Sequence, residues 1–189
     1  MRPRLLLGLT VVVFLAVLAP ATASGRSAVR GGGDFQPDGW IKLCGQSLGC
    51  RIDPLPHPWL GKDVYNASGR HQTEKDRIDE GEGIRYWITI QNDGSQSDTI
   101  TVTGCRGNRT FEVNRVLLGK HKRQDAGAED LTRRYKAGTL TFALDANQRK
   151  VFTLNIITHF DKGVTYDCVT LFTGSGGEQD AVVAEMTTF

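Results

Sequence analysis

The chain has 189 residues, 39% of them hydrophobic, with 23 lysines and arginines against 21 aspartates and glutamates, a formal charge of +2. Arg2 and Arg4 lie at the very N-terminus, and without them the basic and acidic residues balance at 21 each. A strongly basic nucleic-acid-binding domain is excluded at the level of the whole chain, and the length suits one domain with a proper core.

Met1 to Arg4 is a short basic segment, Leu5 to Ala19 an apolar run, and Ala21-Thr22-Ala23 a small-x-small cleavage site. Together they read as a signal peptide over 1–23. The competing reading is an uncleaved anchor, but a membrane span needs about 20 apolar residues. Residues 24–35, rich in Gly, Ser and Arg, read as a flexible leader, and 36–189 as the folded domain.

Asp38 to Leu43 is a first strand, with Trp40 and Ile41 entering the core. The segment Asp53 to Trp59 is extended, because each residue before a proline is pushed out of the helical region. Val64-Tyr65 starts another short strand, and Gln72 to Ile78 reads as a polar edge strand. Ile84, Tyr86, Ile88 and Ile90 then alternate with Arg85, Trp87, Thr89 and Gln91, and Ile100 and Val102 resume the alternation after Asn92-Asp93-Gly94. This pattern predicts a β-hairpin over 84–105. Strands follow at Phe111 to Leu118, Thr139 to Leu144 and Val151 to Thr158. Val164 to Phe172 and Ala181 to Thr188 form a last hairpin around Gly174 to Gly177. The one helical candidate is Asp130 to Lys136, capped by Asp130 and ended by Gly138. Short strands with Gly-rich turns predict an all-β fold, a single antiparallel β-sandwich of about seven to nine strands.

The four cysteines, Cys44, Cys50, Cys105 and Cys168, allow three disulfide pairings. Cys44–Cys50 and Cys105–Cys168 are favoured, stabilising by about 2 and about 4 kcal/mol on the chain-entropy model. Zinc is the competing reading, but the spacings match no common zinc signature. Cys105 ends its strand, so its bridge is expected between neighbouring strands and not across the core. Tyr166, two residues before Cys168, holds the position of a tyrosine corner.

Several short pieces, in their order, resemble a family of immunoglobulin-like modules in secreted bacterial proteins. They are Gln36-Pro-Asp-Gly39, Gly61 to Asn66, Ile88 to Gly94, Phe111-Glu-Val113, Asp130-Leu-Thr132, Ala137-Gly-Thr139 and Asp180 to Ala184. The four cysteines and the Pro-His-Pro-Trp segment depart from that pattern. The resemblance implies an immunoglobulin-like β-sandwich and an extracellular bacterial setting, and no activity.

Trp40, Trp59 and Tyr65 are the candidate ligand-binding residues, since exposed aromatic rings serve sugar-binding modules as platforms. Against this, tryptophans of small secreted domains also plug cores. Lys120, His121, Lys122 and Arg123, with Arg133 and Arg134, form a candidate basic patch for an acidic polymer or phospholipid, or else a solvated loop. The carboxylates Asp76, Asp79, Glu80 and Glu82 are weighed for acid–base chemistry or calcium and assigned to a solvated charged turn, and Asn92, Asp93 and Asp98 are weighed as calcium ligands and assigned to turn chemistry. Asn66 and Asn108 lie in glycosylation sequons and are assigned to turns as well. His57, His71, His121 and His159 are scattered, and no nucleophile, acid–base or metal spacing stands out. No enzyme activity, cofactor or metal is therefore expected.

The expected function is a secreted, disulfide-bonded module with a structural or protein-interaction role at the bacterial cell surface or outside the cell. The alternative is a carbohydrate- or other ligand-binding module using the aromatic segment 40–65. The expected partner is an extracellular protein or polysaccharide, with no nucleic acid and no membrane span after signal cleavage.

Overall fold

Alternating apolar residues build two packed sheets in the computed structural model, which describes residues 34–46, 58–120, 127–159 and 161–189. In chain order the elements are β1 (Pro37–Gln46), β2 (Thr73–Ile78), β3 (Gly83–Asn92), β4 (Asp98–Thr103) and β5 (Phe111–Leu118). There follow α1 (Thr132–Ala137), β6 (Leu140–Leu144), β7 (Arg149–Thr158), β8 (Thr165–Thr173) and β9 (Gln179–Thr188). The first sheet runs β1-β3-β7-β5 and the second β2-β9-β8-β4-β6. This is the all-β sandwich the strand pattern predicts. The first sheet matches the A-B-E-D sheet of an immunoglobulin domain, and β9-β8-β4 matches its G-F-C sheet. One edge departs from a wholly antiparallel layout, because β2 runs parallel to β9.

The inner faces follow the period of two. Ile84, Tyr86, Ile88 and Ile90 of β3 share the core with Phe152, Leu154 and Ile156 of β7. From the second sheet come Ile100 and Val102 of β4, Phe172 of β8, and Val182, Ala184 and Met186 of β9. The helix α1 sends Tyr135 into this core, 6.0 Å from the Phe152 ring. Its hydroxyl lies 2.6 Å from Thr170 Oγ1. Gly104 has no room for a side chain, since a Cβ there would stand 2.1 Å from the Tyr135 ring. The helix ends at Gly138 in the left-handed region, φ 68°, a conformation that glycine adopts freely. Contrary to the expected Asp130 cap, the N-cap position is Leu131, without a side-chain cap, and Asp130 one residue earlier accepts at Oδ1 from the Thr132 N–H at 2.9 Å.

Three expectations change. First, 84–105 is not a hairpin: β3 pairs with β1 and β7, whereas β4 pairs with β6 and β8. Residues 93–97 therefore carry the chain from one sheet to the other. The buried Asn92 holds this corner, donating from Nδ2 to the Gln96 carbonyl at 2.7 Å and the Leu144 carbonyl at 3.1 Å. Its Oδ1 accepts from the Gly94 N–H at 2.9 Å. Asn92→Ala leaves those groups without partners and is expected to cost about 2 kcal/mol of stability, read as a lowered urea midpoint at unchanged slope.

Second, Val64-Tyr65 is not a strand. An isolated bridge between Ile41 and Leu60 precedes it, and a turn then brings the Val64 N–H to the Gly61 carbonyl at 2.9 Å. Third, the outer face of β3 and β7 is buried as well: Arg85, Thr89, Thr153 and Asn155 are all enclosed. Arg85 Nε donates to Asn155 Oδ1 at 2.6 Å. Thr153 Oγ1 donates to the Gly119 carbonyl at 2.7 Å, so the chain after β5 passes over this face.

The Cys105–Cys168 disulfide forms as expected, with Cα atoms 5.1 Å apart. It ties the end of β4 to β8, two neighbouring strands of the second sheet. Cys44 is also disulfide-bonded; its expected partner, Cys50, lies outside the described residues. Tyr166 stacks on Phe111 at 5.5 Å, and its hydroxyl accepts from the Gly107 N–H at 3.2 Å, in the β4–β5 connection. The predicted signal peptide, and the leader up to residue 33, lie outside the described residues. Asp34, at the leader's end, is held by the sheet-crossing corner: its carbonyl accepts from the Gln96 N–H at 3.3 Å. Among the described residues, no helix is long and apolar enough to cross a membrane.

Candidate functional site

The start of β1, the loop 61–72 and the end of β3 converge at one end of the sandwich. Asp180, at the start of β9, organises them. Its carboxylate is fully buried and accepts from the Gly39 N–H at 2.6 Å, Gln72 Nε2 at 2.8 Å and the Asn66 N–H at 3.0 Å. Gly39 allows this closeness: a Cβ there would stand 2.2 Å from the Phe172 ring and 3.2 Å from Asp180 Oδ2. Gly61, at φ 101°, faces the Gly39 carbonyl, which a Cβ would meet at 2.6 Å. Burial pushes the Asp180 carboxyl up to about 6, against the lowering effect of its N–H donors.

Asp38 stands beside this anchor and has no exposed surface. Its Oδ2 accepts from Trp40 Nε1 and from the Asp63 N–H at 3.3 Å, while Oδ1 has no hydrogen bond. Burial, with Asp93 and Asp180 adding repulsion, pushes its carboxyl up to about 7. Asp63 sits in the left-handed region at φ 59°. Asp93 accepts from the Tyr65 hydroxyl at 2.7 Å and from Gln91 Nε2. One carboxylate oxygen from each of Asp38, Asp63 and Asp93 lies within 4.8 Å of the others.

Trp40, Trp59 and Tyr65 do come to this end of the molecule, but Trp40 is 7% exposed and offers no open platform. Trp59 packs edge-on to it at 6.2 Å. Lys62 Nζ and the Arg149 guanidinium lie over the Trp40 ring at 5.7 and 5.9 Å. Trp59, itself half-buried, carries Lys120 Nζ at 5.1 Å, and the same ammonium lies 5.7 Å from the Trp87 ring. Only Tyr65 is exposed, at 37%, with its hydroxyl engaged by Asp93. Burial and the Asp93 carboxylate hold that phenol above its ordinary pKa.

The candidate basic patch is described only at Lys120, Arg133 and Arg134; His121, Lys122 and Arg123 lie outside the described residues. Lys120 Nζ lies over two indole rings, and Arg134 pairs with Glu129 at the surface. Asn66 and Asn108 serve turns as expected. Asn66 Oδ1 accepts from the Ser68 and Arg70 N–H groups at 3.1 and 3.0 Å, and Asn108 Oδ1 from those of Thr110 and Phe111 at 2.9 and 2.8 Å.

The sequence reading assigns Asp93 to a turn with Asn92 and Asp98 and singles out neither Asp38 nor Asp63. Asn92 is spent on the sheet-crossing corner. Asp98 Oδ1 accepts from the Ser175 N–H at 3.0 Å, in the β8–β9 loop. The acids that do meet come from three separate segments. The one sequence signal for them is the glycine or proline close to each: Pro37 and Gly39 flank Asp38, Gly61 lies two residues before Asp63, and Gly94 follows Asp93.

No protein-family model matches the chain, and no curated protein sequence matches it. Among solved structures, it is similar to a family 123 glycoside hydrolase from Clostridium perfringens (TM-score 0.46, 9% identity), over 82% of this chain and 27% of that one. It is also similar to the VesB protease of Vibrio cholerae (TM-score 0.38, 12% identity), over 62% of this chain and 30% of that one. A third likeness is to an ASH/PapD-like domain of human CEP192 (TM-score 0.38, 8% identity), over 62% of this chain and 81% of that one. The chain thus spans less than a third of the first two structures. Likenesses this distant assign neither family nor activity.

Proposed function

We propose that the protein is a secreted, disulfide-bonded immunoglobulin-like module of bacterial origin, with a non-catalytic structural or protein-interaction role outside the cell or at its surface. The observation that carries this reading is its cysteine chemistry. Cys105 and Cys168 are joined, Cys44 is disulfide-bonded, and no described cysteine is free. Such bonds persist in oxidising compartments and are rare in the cytosol. An apolar segment followed by a small-x-small site at the N-terminus agrees with export.

The sandwich itself is compatible with many roles. Within them, polysaccharide binding through an aromatic platform is the weaker reading, because the Trp40 ring is enclosed and Trp59 lies under Lys120. Expression of the full chain in a bacterial host, followed by fractionation and thiol titration, tests the proposal. The expected product is exported, shortened by about 23 residues, and has no titratable thiol after denaturation. A cytoplasmic product with four free thiols would overturn the reading. Crosslinking on intact cells then separates the roles, the expected adduct being an envelope or extracellular protein. Retardation on a polysaccharide gel that is lost on Trp59→Ala favours the carbohydrate alternative instead.

A further inference from the structure

We propose that Asp38, Asp63 and Asp93 form a binding site for a hard divalent cation of the calcium class. Three carboxylates from β1, the 61–72 loop and the end of β3 each place an oxygen within 4.8 Å of the other two. Oxygens bound to one calcium ion at about 2.3–2.6 Å stand at such separations from each other. Among the described residues the donor set is oxygen only, with no imidazole or thiolate, which disfavours zinc and softer metals.

A second observation points to a ligand. Asp38 has no exposed surface, and its Oδ1 makes no hydrogen bond. A buried carboxylate oxygen without a donor is costly to the fold, and a cation supplies what the Trp40 and Asp63 N–H groups do not reach. The charged neighbours leave this need open. Lys62 Nζ stands 3.4 Å from Asp63 Oδ2 at the exposed rim and otherwise lies over Trp40, as Arg149 does. Neither is in ion-pair contact with Asp38 or Asp93. Asp180, the remaining described acid nearby, is occupied by its N–H donors and holds the loop in place.

The site is also built in advance of binding. Asp180 pins Asn66 and Gln72 to β1, and Gly61 and Asp63 adopt the positive φ values that turn the loop back toward Asp38. Three carboxylates, one of them largely solvent-facing, suit the weak calcium affinities of extracellular modules, with Kd of about 10⁻⁴–10⁻³ M. Water completes the coordination. Magnesium, which demands a tighter octahedron, is the poorer fit.

Calorimetric titration of the purified chain with CaCl2 at pH 7.5 tests this directly. Terbium luminescence provides a second readout, with Trp40 beside Asp38 as the sensitising ring. The expected result is one ion per chain and a melting temperature raised by roughly 4 °C in 10 mM CaCl2. Asp63→Asn and Asp93→Asn should each weaken binding about tenfold or more. Asparagine tolerates the left-handed backbone at position 63, so this variant should keep its fold, checked by circular dichroism. Asp167→Asn, on the outer face of β8, should leave the affinity unchanged. Absence of saturable binding up to 10 mM overturns the proposal. So does binding that Asp63→Asn and Asp93→Asn leave intact, or competition by equimolar magnesium.

Discussion

Replacing Cys105 and Cys168 together by alanine should lower stability by about 4 kcal/mol. The two cysteines are 63 residues apart, so the bridge closes a long loop and removes much of the freedom of the unfolded chain. For a domain of this size the loss corresponds to a fall in melting temperature of about 8–16 °C. Alanine is the informative replacement at Cys168, because the sulfur sits in the core at 1% exposure and a serine hydroxyl would add its own burial cost. Thermal melts of the parent with and without reductant, beside the double variant, check the result. Unchanged melting would show that the β4–β8 contact and Tyr135 hold this edge without the bond.

The second large effect is a stability that falls as pH rises. In the unfolded chain the carboxyls of Asp38 and Asp180 titrate near 3.8; in the folded protein burial raises them to about 7 and about 6. Between the unfolded and folded values the native state holds more protons than the unfolded one, so raising pH weakens the fold. These groups contribute fully below about pH 4, and the contribution is lost as the pH passes through 6 and 7. From pH 5 to pH 8, in the presence of chelator, the expected loss is roughly 2–4 kcal/mol, read from urea midpoints. Asp38→Asn keeps a carbonyl for Trp40 Nε1 and the Asp63 N–H but cannot ionise. It should flatten the upper part of this profile and be more stable than the parent at pH 8. Calcium should oppose the same loss in the parent and not in the variant. A profile that is flat from pH 5 to pH 8 in both proteins would refute this account of the two buried acids.

The strand positions and the core are legible in the sequence because a period of two states which side chains face inward. Ile84 to Ile90, Phe152 to Ile156 and the β8–β9 hairpin all follow it, and Gly138 marks the helix end. The period does not state which strand lies alongside. A sheet-crossing corner and a hairpin share the same Asn-Asp-Gly chemistry, and only the side-chain bonds of Asn92 to Leu144 and Gln96 tell them apart. Burial of the outer face at Arg85 and Asn155 is equally silent, since a polar residue on a strand reads as solvent-facing until its cover is known. The acid cluster escapes for a related reason: Asp38, Asp63 and Asp93 each look like an ordinary turn or strand-end residue, and the long-range pairings alone bring them together. The aromatic trio is legible as a group, but the enclosure of Trp40 depends on Lys62, Arg149 and Trp59 arriving from elsewhere in the chain.

The place of β9 has a consequence for the order in which the molecule assembles. It lies between β2 and β8, so during synthesis the second sheet stays in two separate pieces until the last of these strands has emerged. Among the described strands, β2 has no lateral partner before then. Pairings this distant along the chain slow folding. The first sheet needs no strand after β7, so it is the closing of the second sheet, and with it the sandwich, that waits on β8 and β9.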